Sequence, residues 1–226
     1  RHLMEDIVIY HNILGIIVSF IYVFSVIFLA RFLERFGKEA SRKAVHILVC
    51  NWWLVAMIFF DSPIWAAVVP ACFVALNYLS YRFQLFSSME RGAGKGDLGT
   101  VYYAISLFLL ALISFGPLQN PIVGGVGILI MGYGDGLAAV VGTSWPKRPY
   151  QLLGAEKTLS GSLTMLVTSF LVTLVLLAAT GQPQVLMPAL TLALLATGLE
   201  AITPLGLDNL TVPLVSAGAY YFIFVR

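Results

Sequence analysis

The run IVIYHNILGIIVSFIYVFSVIFLA at residues 7–30 contains no Asp, Glu, Lys or Arg. A bilayer core needs about 20 consecutive, mainly apolar residues for one helical crossing, so this run reads as a membrane helix. Similar runs recur to the C-terminus. With Gly and Pro as breakers, they give eight expected spans at roughly 7–30, 44–60, 63–81, 99–115, 121–142, 159–180, 185–201 and 209–225. No polar block between them could fold in water by itself, so residues 1–226 read as one all-α, polytopic transmembrane domain. Composition agrees: 59% of the residues are hydrophobic and 11% charged, against about 25% charged in soluble domains. An ordinary soluble enzyme is excluded, and a net charge of +2 gives no footprint for nucleic acid. Cys50 and Cys72 are the only cysteines. Both lie in apolar stretches and read as packing residues, without a disulfide framework or a cysteine metal site. Arg1, His2 and Leu3, ahead of Met4, are expected to be a cloning remnant, and no cleavable signal is evident before the first span.

The connections alternate in character. Residues 31–43, 82–97, 143–158 and 202–208 are longer, whereas 61–62, 116–120 and 181–184 are terse turns. Of the 13 Lys and Arg, all but the terminal Arg1 and Arg226 fall in the first three longer connections. Lys and Arg in short loops mark the cytoplasmic side, so the longer loops are expected there and both termini on the other side. Pro70, Pro188 and Pro213 fall inside spans as expected kinks. Tyr10, Tyr22, Trp52, Trp53 and Trp65, near span ends, read as interfacial anchors.

Polar chemistry enters the membrane at a few places. In Gly132-Tyr133-Gly134-Asp135-Gly136-Leu137-Ala138-Ala139 an acid stands among alternating glycines. Ionisable groups at membrane depth usually serve an ion, a cavity or a partner, which makes Asp135 the first metal candidate. Gly132 and Gly136 also form a small-xxx-small pair suited to plain helix packing. Glu156-Lys157-Thr158-Leu159-Ser160-Gly161-Ser162 runs into span six. Free N–H groups at a helix start, with hydroxyls, glycine and lysine, suit a phosphate; the same residues also suit a simple cap.

Glu200, and Asp208-Asn209 at the start of span eight, offer oxygen ligands for Mg²⁺, with N-capping the alternative for Asp208 and Asn209. Ser41-Arg42-Lys43-Ala44-Val45-His46 opens span two. Arg42 and Lys43 suit either positive-inside anchoring or anion binding. His46, one turn past Arg42, suits a phosphate, a proton or an interhelical contact. Asp97, in Lys95-Gly96-Asp97-Leu98-Gly99, suits either a base or the dipole of span four. Loop charge places all five clusters at the cytoplasmic face, where one site could hold them. Carboxylates, an anion cradle and a lipid-facing cavity together describe phosphoryl or nucleotidyl transfer, which needs charge neutralisation and in-line positioning above all.

Taken in order, Arg42-Lys43-Ala44-Val45-His46, Gly99-Thr100-Val101-Tyr102-Tyr103, Gly134-Asp135-Gly136-Leu137-Ala138 with Gly142, Lys157-Thr158 with Gly161-Ser162, and Glu200 with Asp208-Asn209-Leu210-Thr211-Val212-Pro213-Leu214 resemble the phytol kinase and dolichol kinase family. That family of CTP-dependent membrane lipid kinases includes CTP-dependent diacylglycerol kinases. The resemblance covers most of the chain. It implies transfer of the terminal phosphoryl of CTP to a lipid hydroxyl, phytol or another polyprenol first. Asp135 with Glu200 or Asp208 would hold Mg²⁺, and Lys157, Arg42 and Lys43 would clamp phosphate. Gly134, Gly136, Thr158, Ser160, Gly161, Ser162 and Asn209 would line the nucleotide, with Asp97 or His46 as base. Ala139 stands where such kinases often carry a second acid, and Ser160 where some have one, so Mg²⁺ would take its remaining ligands from Glu200, Asp208 or the nucleotide. A phosphatidate cytidylyltransferase shares the Gly-Asp and Lys-Ser/Thr pattern but would release pyrophosphate. An ion-coupled transporter would place its acids nearer the midplane. Small residues on several helices permit a homodimer.

Overall fold

The structure is a computed structural model that describes residues 2–83, 98–145, 148–204 and 206–226. Helices cover each of the eight apolar windows, as an all-α bundle. They are α1 (His2–Leu33), α2 (Lys38–Cys50) with α3 (Trp52–Phe59), α4 (Pro63–Phe83), α5 (Gly99–Phe115), α6 (Pro121–Leu129) with α7 (Gly136–Ser144), α8 (Leu159–Ala179), α9 (Leu186–Ile202) and α10 (Asp208–Tyr220). Five of the resulting segments are long and apolar enough to cross a membrane: Asp6–Leu33, Ser41–Phe59, Pro63–Phe83, Pro121–Ser144 and Leu159–Ala179. Helices α5 and α9 are apolar but shorter, and α10 continues as a π-helical turn over Tyr221–Val225.

The continuous helix Pro121–Ser144 forms the axis of the bundle. Of its most apolar window, 78% is buried, against 28% in each of the other four crossing segments. Glycines explain how so many neighbours reach it. A β-carbon at Gly124 would strike the Trp53 ring of α3, at Gly132 the Cys50 side chain of α2, at Gly134 Met165 of α8, and at Gly127 the Pro213 carbonyl of α10. Each missing side chain thus admits a different helix. Asn120 caps this axis by accepting a hydrogen bond from the Ile122 N–H at 3.2 Å, and Pro121 fills the first helical position, where no N–H is needed.

Three expectations change. The expected single span 44–60 is two helices, interrupted at Asn51, whose amide donates to the Ile47 and Leu48 carbonyls and whose oxygen accepts from the Tyr133 hydroxyl at 2.9 Å. Tyr133 lies in a π-helical turn, Ile130–Asp135. Such a turn holds an extra residue and rotates the rest of the helix by roughly 100° relative to a regular α-helix, so the break in one helix is fastened to the irregularity of the next. Trp52 and Trp53 are not interfacial anchors. They are 1% and 0% exposed, because the break at Asn51 turns them inward, where Trp53 donates to the Pro121 carbonyl at 2.9 Å.

The third change is at residues 143–158, expected as a loop, which include an antiparallel hairpin of β1 (Pro149–Leu152) and β2 (Ala155–Thr158). Its two-residue turn, Leu153 and Gly154, has positive φ at both positions, 48° and 86°. Paired positive φ values match the twist of adjoining strands, which a glycine supplies without strain and a leucine tolerates only under constraint.

Helix α2 is tied back to α1 by the Ser41 hydroxyl, which donates to the Ala30 carbonyl at 2.7 Å, across a corner made by Gly37 at φ 120°. Helix α4 packs mainly on α5, and far less on α1. A Gly127→Ala variant is expected to lose about 1–3 kcal/mol of stability, because the added carbon meets backbone that cannot yield. Gly198→Ala, where the carbon meets nothing, is expected to be neutral or slightly stabilising. Thermal unfolding of the two variants in detergent checks the difference.

Candidate active site

A cavity of about 540 Å³ opens at one end of the bundle, lined by Arg42, Lys43, Asp135, Lys157, Glu200 and Asp208 among others. Its size lies within the range of about 300–1,000 Å³ typical of small-molecule sites. The N-terminal half of α2, the π-helical turn, the hairpin, the start of α8, the end of α9 and the start of α10 all meet there.

Two ion clusters organise it. Asp135, 5% exposed, accepts from the Lys43 ammonium at 2.8 Å. The same carboxylate oxygen lies 3.3 Å from His46 Nε2, a nitrogen that has no aligned hydrogen-bond partner among the described residues. His46 is held from behind: the Tyr103 hydroxyl donates to its carbonyl at 3.0 Å, and the two rings lie 4.7 Å apart.

In the second cluster, Lys157 of β2 donates to Glu200 Oε1 at 2.5 Å and approaches Asp208 Oδ2 at 3.4 Å. Burial alone would weaken the hold of Lys157 on its proton. The charges of Asp208 and Glu200 outweigh burial and raise its pKa above the ordinary lysine range. Strand alternation puts Lys157 on the same side as the buried Ala155, and the hairpin therefore delivers a cation into a wall otherwise made of helices.

The remaining sequence candidates divide. Thr158 is the cap of α8, its hydroxyl accepting from the Gly161 N–H at 3.1 Å. Ser160 donates to the Trp145 carbonyl at 2.7 Å, and Ser162 shares a 2.6 Å hydrogen bond with the Tyr150 hydroxyl. Thr158, Gly161 and Ser162 line the cavity, as does Asn209. Gly134 and Gly136 do not line it. They face Met165 of α8 and Ile47 of α2 and give close helix approach, the packing alternative left open by their spacing. Asp208 accepts from the Asn209 N–H at 3.0 Å, a local contact resembling a cap. Asp97 lies outside the described residues. Residues Gly154, Ala155 and Thr203 also line the cavity and are not among the sequence candidates. Gly154, between two short polar-apolar stretches, was the one available hint.

A second, apolar groove adjoins the first. It is lined by His46, Val49, Val69, Phe73, Tyr103 and Leu107 among others, and it shares Arg42 and Asn209 with the polar cavity. His46 belongs to the groove and Asp135 to the polar cavity, so their contact stands between the two.

Whether the polar cavity suits a divalent cation is decided by its oxygens. Among the described residues Glu200 Oε2 and Asn209 Oδ1 are buried without a hydrogen-bond partner, and both residues line the cavity. Orphaned buried acceptors are costly, and hard oxygen donors are what Mg²⁺ takes. Among the described residues no group of three or more His, Cys, Asp or Glu is close enough to hold a metal by itself. This donor set fits an ion that shares its coordination sphere with substrate phosphates and water, as Mg²⁺ commonly does.

A polar cavity with charges of both signs, joined to an apolar groove within a membrane bundle, suits a phosphotransferase whose acceptor is dissolved in lipid. Comparison with known proteins gives the family. The chain is 40% identical over 207 residues to the phytol kinase of Synechocystis sp., covering 87% of this chain and 85% of that protein. It is 34% identical over 207 residues to the probable chloroplastic phytol kinase 1 of Glycine max, over 81% of this chain and 67% of that one. To the dolichol kinase of Saccharomyces cerevisiae it is 37% identical over 197 residues, 80% of this chain but 36% of the yeast protein. No family profile and no solved structure matches. The chain belongs to the phytol kinase and dolichol kinase family of lipid-alcohol phosphotransferases.

Removing one member of a buried ion pair leaves the other charge uncompensated, at a cost of about 3–5 kcal/mol. Lys43→Met is therefore expected to destabilise the protein on that scale, and Lys43→Met with Asp135→Leu to recover most of the loss. Unfolding in detergent would show equal stabilities for all three proteins if the pair did not join α2 to the axis.

Proposed function

We propose that this protein transfers the terminal phosphoryl of CTP, with Mg²⁺, to the hydroxyl of phytol or another isoprenoid alcohol. The observation that carries this reading is the junction of the charged cavity with the apolar groove at Arg42, Asn209 and the His46–Asp135 contact. Such a junction holds a soluble anion and a lipid alcohol on opposite sides of a few side chains. The choice of cytidine and of phytol rests on the family, not on any residue in the cavity.

In this reading Lys157 and the N-terminus of α8 hold the triphosphate, joined by Arg42 and Lys43. Asp135 with either Glu200 or Asp208, beside the Asn209 amide oxygen, would hold Mg²⁺, whose remaining ligands would come from the phosphates and water. The ion, when bound, would neutralise charge on the phosphate oxygens. The lipid hydroxyl oxygen forms a bond to the terminal phosphorus as the bond to the bridging oxygen breaks, releasing CDP. His46, whose Nε2 has no hydrogen-bond partner among the described residues and which lies at the junction, is placed to take the hydroxyl proton, with Asp135 facing it. Eight crossings, with both termini outside and the cavity at the cytoplasmic face, complete the proposal and agree with the loop charge.

Purified protein with Mg²⁺, CTP or ATP, and a panel of phytol, a polyprenol, diacylglycerol and phosphatidate tests it by mass spectrometry of products. A phosphorylated alcohol with CDP is the expected outcome. A CDP-lipid with pyrophosphate would make the protein a cytidylyltransferase instead. Asp135→Asn is expected to abolish transfer in a folded protein, and Lys157→Met to lower the rate by about 10²–10³. Near-normal turnover by either variant would remove that residue from the chemistry.

A further inference from the structure

The apolar groove beside the polar cavity adjoins another apolar cavity nearer the surface. Ile27 of α1, with Phe73 and Asn77 of α4, lines its interior and also lines a second apolar cavity, of about 360 Å³, with Phe24, Phe28, Arg31 and Leu76. Phe24 and Phe28 are largely exposed on α1, the side of the bundle that meets lipid. The groove and this second cavity therefore share a wall of Ile27, Phe73 and Asn77, and together they line up from the surface between α1 and α4 towards His46 and the polar cavity.

The seam they follow is packed more lightly than the α4–α5 one: Asn77 of α4 donates to the Thr100 carbonyl of α5 at 3.0 Å, whereas α4 meets α1 less, with the Phe73 ring 6.1 Å from those of Phe20 and Phe24. Inside α4, Pro70 faces the groove and removes one N–H from the helix ladder. The inner groove is narrow, with about 60 Å³ of free space. Any chain that enters must therefore spread the groove walls, and two acyl chains side by side would have to part the helices further.

We propose that the α1–α4 seam is the lateral entrance for the acceptor, that the inner groove seats a single isoprenoid chain, and that Ile27 and Phe73 form the threshold that selects it. This rests on the lipid-kinase reading above and deepens it, by excluding two-chain acceptors and naming the selecting residues. Neither Ile27 nor Phe73 touches the charged cavity, so altering them leaves phosphate chemistry in place. Both are only partly buried, so a larger side chain can be accommodated towards lipid.

The test compares wild type and Ile27→Trp, full chain in phospholipid vesicles with Mg²⁺ and CTP, on phytol and on the short alcohol prenol. The expected result is a fall in kcat/KM of about tenfold or more for phytol, with prenol within about twofold, the scale on which an apolar pocket discriminates. Equal loss with both alcohols, or no change with either, would overturn the threshold, and efficient phosphorylation of diacylglycerol by wild type would overturn the single-chain seat.

A second measurement needs no turnover: a phytol analogue with a photoreactive tail is crosslinked in the same vesicles and the labelled peptides are mapped. Labelling of α1 and α4 around Ile27 and Phe73, competed by phytol and reduced in Ile27→Trp, supports the seat. Uniform labelling of all lipid-facing helices overturns it. Absence of phosphoryl transfer by wild type to every alcohol would sink the kinase reading alone, since the crosslink map still decides the seat.

Discussion

A carboxylate inside a membrane bundle must be answered by a positive charge or not be ionised at all, and much of this molecule depends on how Asp135 is answered. The Lys43 ammonium meets it from α2. To bring α2 that close, the axis helix gives up a side chain at Gly132 and another at Gly136, where Cys50 and Ile47 of α2 come to rest. The π-helical turn over Ile130–Asp135 sets the direction in which the acid emerges. The Asn51–Tyr133 hydrogen bond locks that turn to the break between α2 and α3. Packing, irregular backbone and charge are thus three aspects of one local arrangement.

The second cluster solves the same problem by a different architecture. Lys157 does not ride on a helix but on a hairpin strand, and it serves two acids from two different helices, Glu200 and Asp208. A strand alternates its side chains and lies nearly flat, so a short hairpin can reach across the mouth of a bundle where no helix fits. One oxygen of Glu200 and one of Asn209 are left over. In a folded interior such atoms are expensive, and here both residues line the cavity.

How far the sequence could be read depended on the kind of signal. Apolar run length and Pro/Gly breaks located the helices closely: 99–115 and the start at Pro121 coincide with α5 and α6. Asn51 was invisible as a break because the residues on both sides are apolar, and with it went the burial of Trp52 and Trp53. The hairpin turn uses Leu153-Gly154 in place of the usual Asn-Gly or Asp-Gly, so its pattern read as a loop. Of the five polar clusters, those containing Asp135, Lys157, Glu200 with Asp208, and Arg42 with Lys43 converge on one cavity. The fifth contributes Gly99, Thr100 and Tyr103 to the apolar groove. Spacing could show that Gly134 and Gly136 matter, but only three-dimensional contact assigns them to packing.

The charged cavity and the apolar groove draw their linings from nearly separate sets of helices, with Arg42 and Asn209 common to both. For evolution this amounts to modularity. Substitutions on α1, α4 and α5 can drift with the shape of whatever dissolves in the host membrane, while the charged end on α7, the hairpin and α8 stays fixed. A fold divided in this way can give rise to lineages that differ in the lipid they modify without reinventing the chemistry, and its divergence should be concentrated on the lipid-facing half.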